Sequence, residues 1–355
     1  MKSINSPIEM PYGARRFVDV LDESLEYIED RRSGKITSFK TPWLGLNNAG
    51  INGLEWGSML TIAARPGAGK TMITSQILRE SYTHNPGSPF NILEFQFEMG
   101  AKQYGAREYA AEVAMDYNLV LSSHTPIDDA TIQRLKKYRS YQASLEAKGI
   151  HRLYISKPLT HEAIYNAIHH FYNELGGAPL LVTIDHSWLI KKSASEKEKI
   201  ATLYNTVEML MRIKNEIPII VVMLSQLNRT IDEASRKTPG HIGNYPTSGD
   251  IFGGDALMQG SDMVVILNRP HKANIQLYGP KKFISQDEDI FMHLIKVRNG
   301  SNKEDLLFFK AEFHRQRLVE TVAPLTNGQG MTNANGYTPR NQSVINLTGD
   351  TGPSM

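Results

Sequence analysis

Residues 15–32, RRFVDVLDESLEYIEDRR, place Phe17, Leu21, Leu25 and Ile28 at steps of four, four and three, with charged residues between them. That spacing is the period of one helical face, so it predicts an amphipathic helix whose remaining surface is polar. Gly34 ends the pattern, and SFKTPWLGLNNAGINGLEWG follows as a turn-rich stretch with Pro42 and repeated Gly and Asn. From Met59 the chain changes to short apolar runs, MLTIAA, FNILEFQF, RLYIS, LLVTID, PIIVVMLS and MVVILN, separated by helical patterns. Strands alternating with helices predict an α/β fold with a mainly parallel central sheet flanked by helices. FMHLIKVRN and LLFFKAEF are separated only by GSNKED, a short polar gap with Gly, and read as a C-terminal β-hairpin. Helices are expected over 71–84, 100–116, 127–148, 160–175 and 195–215.

Two segments break this alternation. Residues 228–256, NRTIDEASRKTPGHIGNYPTSGDIFGGDA, form a long Gly/Pro/Ser stretch inside the α/β region, and loops of that length in a compact domain are usually functional or disordered. Residues 324–355 are rich in Asn, Gly and Thr with few charges or large apolar groups. Such a tail buries too little surface to offset its ordering entropy, so disorder is expected there.

The charge balance narrows the chemistry only slightly. The 355 residues carry 39 Lys+Arg against 37 Asp+Glu, a net of +2, so a polyanion would have to be held by local placement of charge and not by a bulk field. The cysteine count is 0, which removes disulfides, thiolate zinc sites and cysteine nucleophiles, and fits a reducing compartment. The N-terminus has no signal-like apolar stretch and no long apolar run follows, so a soluble cytoplasmic protein without membrane contact is expected.

The sharpest local signal is MLTIAARPGAGKTMITSQIL: an apolar strand, a Gly-rich turn through Arg65, Pro66, Gly67, Ala68 and Gly69, then Lys70-Thr71 opening a helical pattern. A turn of this kind points backbone N–H groups at a phosphate, where the helix dipole also favours negative charge. Lys70 supplies a mobile charge for the β and γ phosphates and Thr71 a hydroxyl for Mg²⁺, so ATP and Mg²⁺ are the expected cofactors. Ala64 stands where the strict pattern wants Gly. LLVTIDHSWLI ends an apolar run with Asp185, either a metal-organising acid or a helix cap. FNILEFQFEMG carries Glu94 and Glu98 at even spacing; strand-end Glu98 is the better placed to activate a water. Ser225, Gln226, Asn228 and Arg229 end another buried strand, as a γ-phosphate sensor or as a plain polar exit.

Taken together, GLEWGSMLTIAARPGAGKT, FQFEMG, LLVTIDHSWLI, VVMLSQLNR, GDALMQGSDMVVILNR and IKVRNG resemble the RecA-like ATPase domain of DnaB-type replicative DNA helicases, in that family's order, across roughly residues 35 to 320. The family's own loop resembles ARPxxGKT, which accounts for Ala64. The resemblance implies a P-loop NTPase fold, with Lys70 and Thr71 on phosphate and Mg²⁺, Asp185 as the second acid of the metal site and Glu98 as catalytic base. It also implies Gln226 as the γ-phosphate-linked residue, Arg107 near the nucleotide base, and Lys296 and Arg298 acting in the neighbouring subunit's site, Arg298 as the arginine finger. The long loop would line a central channel and hold single-stranded DNA through Arg236, Lys237 and the turn containing Ser248, Gly249, Gly253 and Gly254. Where the family usually has Arg-Glu this chain has Phe252-Gly253, which shifts the contact toward backbone amides or stacking on Phe252.

The implied organisation is an N-terminal arm, 1–34, whose helix docks on a neighbouring subunit, an ATPase domain, 35–323, and a disordered tail, 324–355. The family's usual N-terminal collar has no counterpart here, which suggests a compact form acting in a bacterial cell or a phage-infected host. The implied activity is ATP-driven unwinding of DNA by a hexameric ring, with primase or a helicase loader as further partners. The competing readings are a filament-forming recombination ATPase of the RecA or RadA kind and a nucleotide-gated binding module with little hydrolysis.

Overall fold

A computed structural model of the chain describes residues 14–155, 157–194, 196–300 and 305–327. It divides into two compact units, Met1–Ser38 and Phe39–Met355. In the first, helix α1 (Phe17–Arg32) carries Asp19 in its first turn and Arg31 and Arg32 in its last, charges that complement the helix dipole. No residue of α1 is buried: its apolar stripe of Phe17, Leu21, Leu25 and Ile28 is 50–75% exposed.

The second unit contains, among the described residues, a nine-stranded sheet. Its strands are β1 (Ser58–Ala64), β2 (Asn91–Gln96), β3 (His151–Ile155), β4 (Leu180–Asp185), β5 (Ile219–Gln226), β6 (Met263–Asn268), β9 (Asp289–Val297), β10 (Leu306–Glu312) and β11 (Arg317–Thr321), in the order β11-β10-β9-β6-β1-β5-β4-β2-β3. From β6 to β3 in that order, neighbours pair in parallel. At the other end β9, β10 and β11 pair antiparallel. The hairpin expected at the C-terminal end is the β9–β10 pair, whose turn falls partly outside the described residues. RLVET adds β11 beyond it, a strand too short for its alternation to stand out in the sequence. A separate ribbon joins β7 (Leu277–Tyr278) to β8 (Phe283–Ile284).

The central strands are buried on both faces, so alternate residues feed two cores. Leu60, Ile62, Ile220 and Val222 pack with Ile73 and Ile77 of α3 (Lys70–His84). Met59, Ala63, Val221 and Met223 pack on the other face with Ile168 of α7 (His161–Glu174) and Leu210 and Ile213 of α8 (Lys199–Glu216). The remaining helices are α2 (Leu44–Ala49), α4 (Ala101–Val113), α5 (Tyr117–Val120), α6 (Asp129–Leu145) and α9 (Gly254–Gly260). Helix α4 stops short of the expected residue 116 because Ala114 turns left-handed, at φ 54°.

The 228–256 segment is ordered by short 3-10 turns at Arg229–Asp232, Ala234–Lys237, Ile242–Asn244 and Ser248–Asp250. Composition predicts disorder from residue 324, yet 324–327 return to the fold: Leu325 O accepts the Ile284 N–H at 2.8 Å and the Asn327 N–H donates to Lys282 O at 3.1 Å. Backbone pairing with β8 and its turn supplies the ordering that side-chain composition does not. The rest of the expected tail, 328–355, lies outside the described residues. Among the described residues no helix is long and apolar enough to cross a membrane.

Candidate functional site

Parallel register brings the carboxyl ends of β1, β5, β4 and β2 to one edge of the sheet. Ala64 pairs with Gln226, Ile184 with Met223, and Gln96 with Asp185. Ligands of open α/β sheets bind outside such an edge. The phosphate loop leaves β1 there, and Gly69 holds φ 94° as the residue before α3, a left-handed conformation that lets Lys70 begin the helix without a Cβ penalty.

Lys70 and Asp185 face each other across this edge. Burial lowers the Lys70 ammonium below its usual range, opposed by the charges of Asp185 and Glu98. Burial likewise raises the Asp185 carboxyl, opposed by the Gln96 hydrogen bond and by Lys70. Gln96 Nε2 donates to Asp185 Oδ2 at 2.9 Å, while Asp185 Oδ1 is buried with no hydrogen-bond partner. A buried carboxylate oxygen left unpaired is unfavourable, and a cation would satisfy it. No cluster of three or more His, Cys, Asp or Glu residues suited to a metal occurs among the described residues. The unpaired Asp185 Oδ1 is the single carboxylate oxygen of the kind Mg²⁺ takes, the rest of its shell being phosphate oxygens and water.

Glu98 is exposed just beyond the end of β2, and its backbone N–H donates to Gln96 Oε1 at 3.2 Å. Glu94 instead lies inside β2, where Tyr104 Oη donates to its carboxylate at 2.9 Å and His151 bonds its other side. Its two oxygens are thus engaged in hydrogen bonds within the fold. His186, directly after Asp185, holds φ 132°, a strained value of the kind that collects at functional sites. Burial and the Lys70 charge pull its pKa down to about 4, so the imidazole is neutral at pH 7.

The remaining residues fall into distinct surroundings. Arg65 pairs with Asp232 at 2.5 Å and donates to Leu227 O at 3.2 Å, tying the phosphate loop to the chain beyond β5. Arg107 is exposed on α4, its guanidinium 5.6 Å from the Tyr117 ring. Gln226 and Phe252 are joined: the Phe252 N–H donates to Gln226 O at 2.9 Å. Gly253 holds φ 65°, and a Cβ there would lie 2.2 Å from Leu203 Cδ2, so the backbone passes close over α8. Ser248 and Gly249 form the 3-10 turn before it.

Arg236 does not present its guanidinium outward. It makes two 2.9 Å bonds to Asp250 and further bonds to the carbonyls of Gly243 and Tyr245. The cation expected on DNA therefore braces its own loop, which leaves Lys237 beside it as the partly exposed charge. Arg298, 46% exposed, reaches Asp262 at 3.1 Å, and Lys296 Nζ donates to Met258 O.

Three residues of this edge are not evident as site residues from the sequence. Gln96 is one; an amide at the buried carboxyl end of a strand is the signal that marks it. The others are Arg269, which donates to Gly67 O at 3.4 Å, and Lys272, which donates to Pro66 O at 3.4 Å, both from the exit of β6. No sequence motif links them to the phosphate loop.

Residues 39–317 match the family profile described as DnaB-like helicase C terminal domain. The replicative DNA helicase DnaB of Haemophilus influenzae is 23% identical over 309 residues, which cover 85% of this chain and 61% of that protein. The DnaB of Geobacillus stearothermophilus is 26% identical over 306 residues, covering 84% of this chain and 60% of that protein. The chain thus spans about three-fifths of the length of these relatives. Among solved structures, a DnaB-like replicative helicase described with its primase interactions shares the fold at a TM-score of 0.67. It is 17% identical, and the match covers 84% of this chain and 66% of that chain. A separately solved ATPase domain also matches at a TM-score of 0.67, at 15% identity, covering 86% of this chain and 98% of that one.

Proposed function

This chain belongs to the DnaB-like helicase C-terminal domain family, and from that membership we propose that it is a ring-forming, ATP-driven helicase that translocates on single-stranded DNA and unwinds duplex during replication. The observation that carries the reading is the bond between Gln226 and Phe252. Gln226 lies beside the start of the phosphate loop through the Ala64 register, and its carbonyl holds the Gly-rich turn proposed for DNA. Loss of the γ phosphate at one end of that link would therefore be felt at the other.

In this reading the backbone from Arg65 to Gly69 cradles the phosphates, and Lys70 neutralises their charge. Arg107 borders the base. Thr71 and Asp185 would hold Mg²⁺, which when bound draws charge from the phosphate oxygens. Glu98 orients and deprotonates the attacking water, Gln226 senses the γ phosphate, and Arg298, with Lys296, completes the site from the next subunit. Lys237, the amides of Ser248, Gly249, Gly253 and Gly254, and the Phe252 ring hold the DNA, while Arg236 keeps their loop in shape. The exposed stripe of α1 docks on a neighbouring copy and so closes the ring. Primase or a loader would engage the assembled ring.

The test is mass measurement of the full chain with an ATP analogue and single-stranded DNA, followed by strand displacement on the same sample. A closed ring that releases a labelled strand only when ATP is hydrolysed is expected. Open filaments on DNA without displacement would favour the recombination reading, and nucleotide-dependent DNA binding without hydrolysis a gated module.

A further inference from the structure

A cavity of about 160 Å³ opens at the same edge of the sheet, lined by Ser187, Trp188, Ser225, Gln226 and Phe252. Trp188 lies on the 3-10 turn (Ser187–Leu189) that follows Asp185. Its ring meets Phe252 edge to face, with centroids 4.3 Å apart and planes at 74°. It nevertheless stays 37% exposed. An indole braced by a second ring, with more than a third of its surface still exposed, presents apolar surface to solvent.

One cation reaches this ring, and further exposed cations lie nearby in the chain or at the next strand exit. Lys199 Nζ lies 5.9 Å from the Trp188 ring centroid. Lys191 and Lys192 are exposed in the same loop, and exposed Arg229 begins the turn after β5. An apolar ring with one ammonium over it and exposed cations along the same loop fits a ligand with flat π-faces joined by phosphates. Every nucleobase offers such a face, so stacking tolerates any sequence, as a motor moving along DNA requires.

We propose that Trp188, backed by Phe252, is a stacking platform for a base of single-stranded DNA, with Lys191, Lys192 and Arg229 taking the adjoining phosphates. The inference rests on the DNA-motor reading above and moves its stacking contact from Phe252 to Trp188, with Phe252 as the ring behind it. The platform is also tied to the nucleotide site. Phe252 N donates to Gln226 O at 2.9 Å and Ser225 Oγ to Phe252 O at 3.5 Å, so a change at the γ phosphate moves the ring behind the base.

The experiment compares an oligo-dT with an abasic oligomer of equal length and charge, bound to the full chain with an ATP analogue over a range of salt. Of the 3 tryptophans, Trp43 is fully buried and Trp56 is packed against the core, so quenching by DNA reports mainly on Trp188. Oligo-dT should quench the fluorescence and bind about tenfold more tightly than the abasic chain. Trp188→Ala should lose that preference while keeping the salt slope, which counts phosphate contacts. Trp188→Phe should keep part of the preference, a result a merely structural role would not produce. Equal binding of both oligomers by the wild type, or a preference retained in Trp188→Ala, overturns the platform and leaves the DNA-motor reading intact. Loss of affinity for the ATP analogue itself in Trp188→Ala assigns the face to the nucleotide's own base and also overturns it. Binding of neither oligomer overturns the DNA reading and this inference with it.

Discussion

Gln96 spans two acids: its amide donates to Asp185 Oδ2 at 2.9 Å and its Oε1 accepts the Glu98 N–H at 3.2 Å. One side chain thereby sets the spacing between the proposed metal ligand and the proposed base. Groups that orient metal ligands typically contribute about 10–100-fold to metal affinity or activity. Gln96→Ala should therefore lower the ATPase kcat by at least about tenfold and raise the Mg²⁺ concentration needed for half-maximal rate. Steady-state ATPase assays over a Mg²⁺ titration check this; an unchanged Mg²⁺ requirement would remove Gln96 from the site. Glu98→Gln should lower kcat further with KM little changed, since it removes the base and leaves Asp185 held.

Arg298 and Lys214 share Asp262, at 3.1 Å and 2.6 Å respectively. Because Asp262 keeps Lys214 when Arg298 is removed, Arg298→Ala should fold with a melting temperature close to that of the wild type. A half-exposed pair of this kind contributes at most about 1 kcal/mol. Its ATPase should nevertheless fall about a thousandfold, the scale of an arginine finger. Mixing Lys70→Ala with Arg298→Ala chains should restore activity at mixed interfaces. An absence of rescue at every ratio would exclude a site shared between subunits.

The Arg236–Asp250 fork closes the loop proposed for DNA, and it has a pH signature. Burial raises the Asp250 carboxyl, but the Arg236 hydrogen bond and the Thr247 N–H outweigh it and hold the pKa below 3.8. Stability from this pair is thus present above the ordinary carboxylate range and is lost as pH falls through the lower, folded value. Arg236→Ala should open the loop by roughly 2 kcal/mol, seen as faster amide exchange over 228–256, and should abolish DNA stimulation of the ATPase. Arg236→Lys restores charge but not the two-pronged geometry, so it should recover only part of the protection.

A second pH dependence arises away from the site. His293 in β9 is buried, bonded to Tyr278 Oη at 2.7 Å, and burial pulls its pKa down from 6.5 to about 3. Below about pH 6.5 the unfolded chain takes up a proton that the folded chain refuses, so stability falls as pH drops toward 3, by up to about 1.4 kcal/mol per pH unit. His293→Gln should flatten that limb of the melting temperature against pH, even if its stability at pH 7 is lower. A limb unchanged in the variant would place the titration elsewhere.

Eight of the strands, the helix at 17–32 and the Gly-rich turn before α3 were legible in the chain because each depends on neighbours within a few residues: alternation of two, a period near 3.6, or the adjacency of Gly69, Lys70 and Thr71. The place of Asp185 at a strand end was legible for the same reason, as a charge closing an apolar run. The role of Arg236 was not. A basic residue in a Gly-rich loop reads alike whether it points at DNA or at an aspartate 14 residues on, and only the folded loop chooses between them. The Gln96–Asp185 bond joins residues 89 apart, and Trp188 meets Phe252 from a different strand exit. Such pairs depend on strand order and register, which arise from packing two cores against opposite faces of one sheet. Local spacing therefore specified most of the elements and the Gly-rich turn that opens α3. Which acids share an amide, which arginine is consumed within its own loop, and which ring stands behind the exposed indole followed from side chains brought together by burial across long stretches of chain.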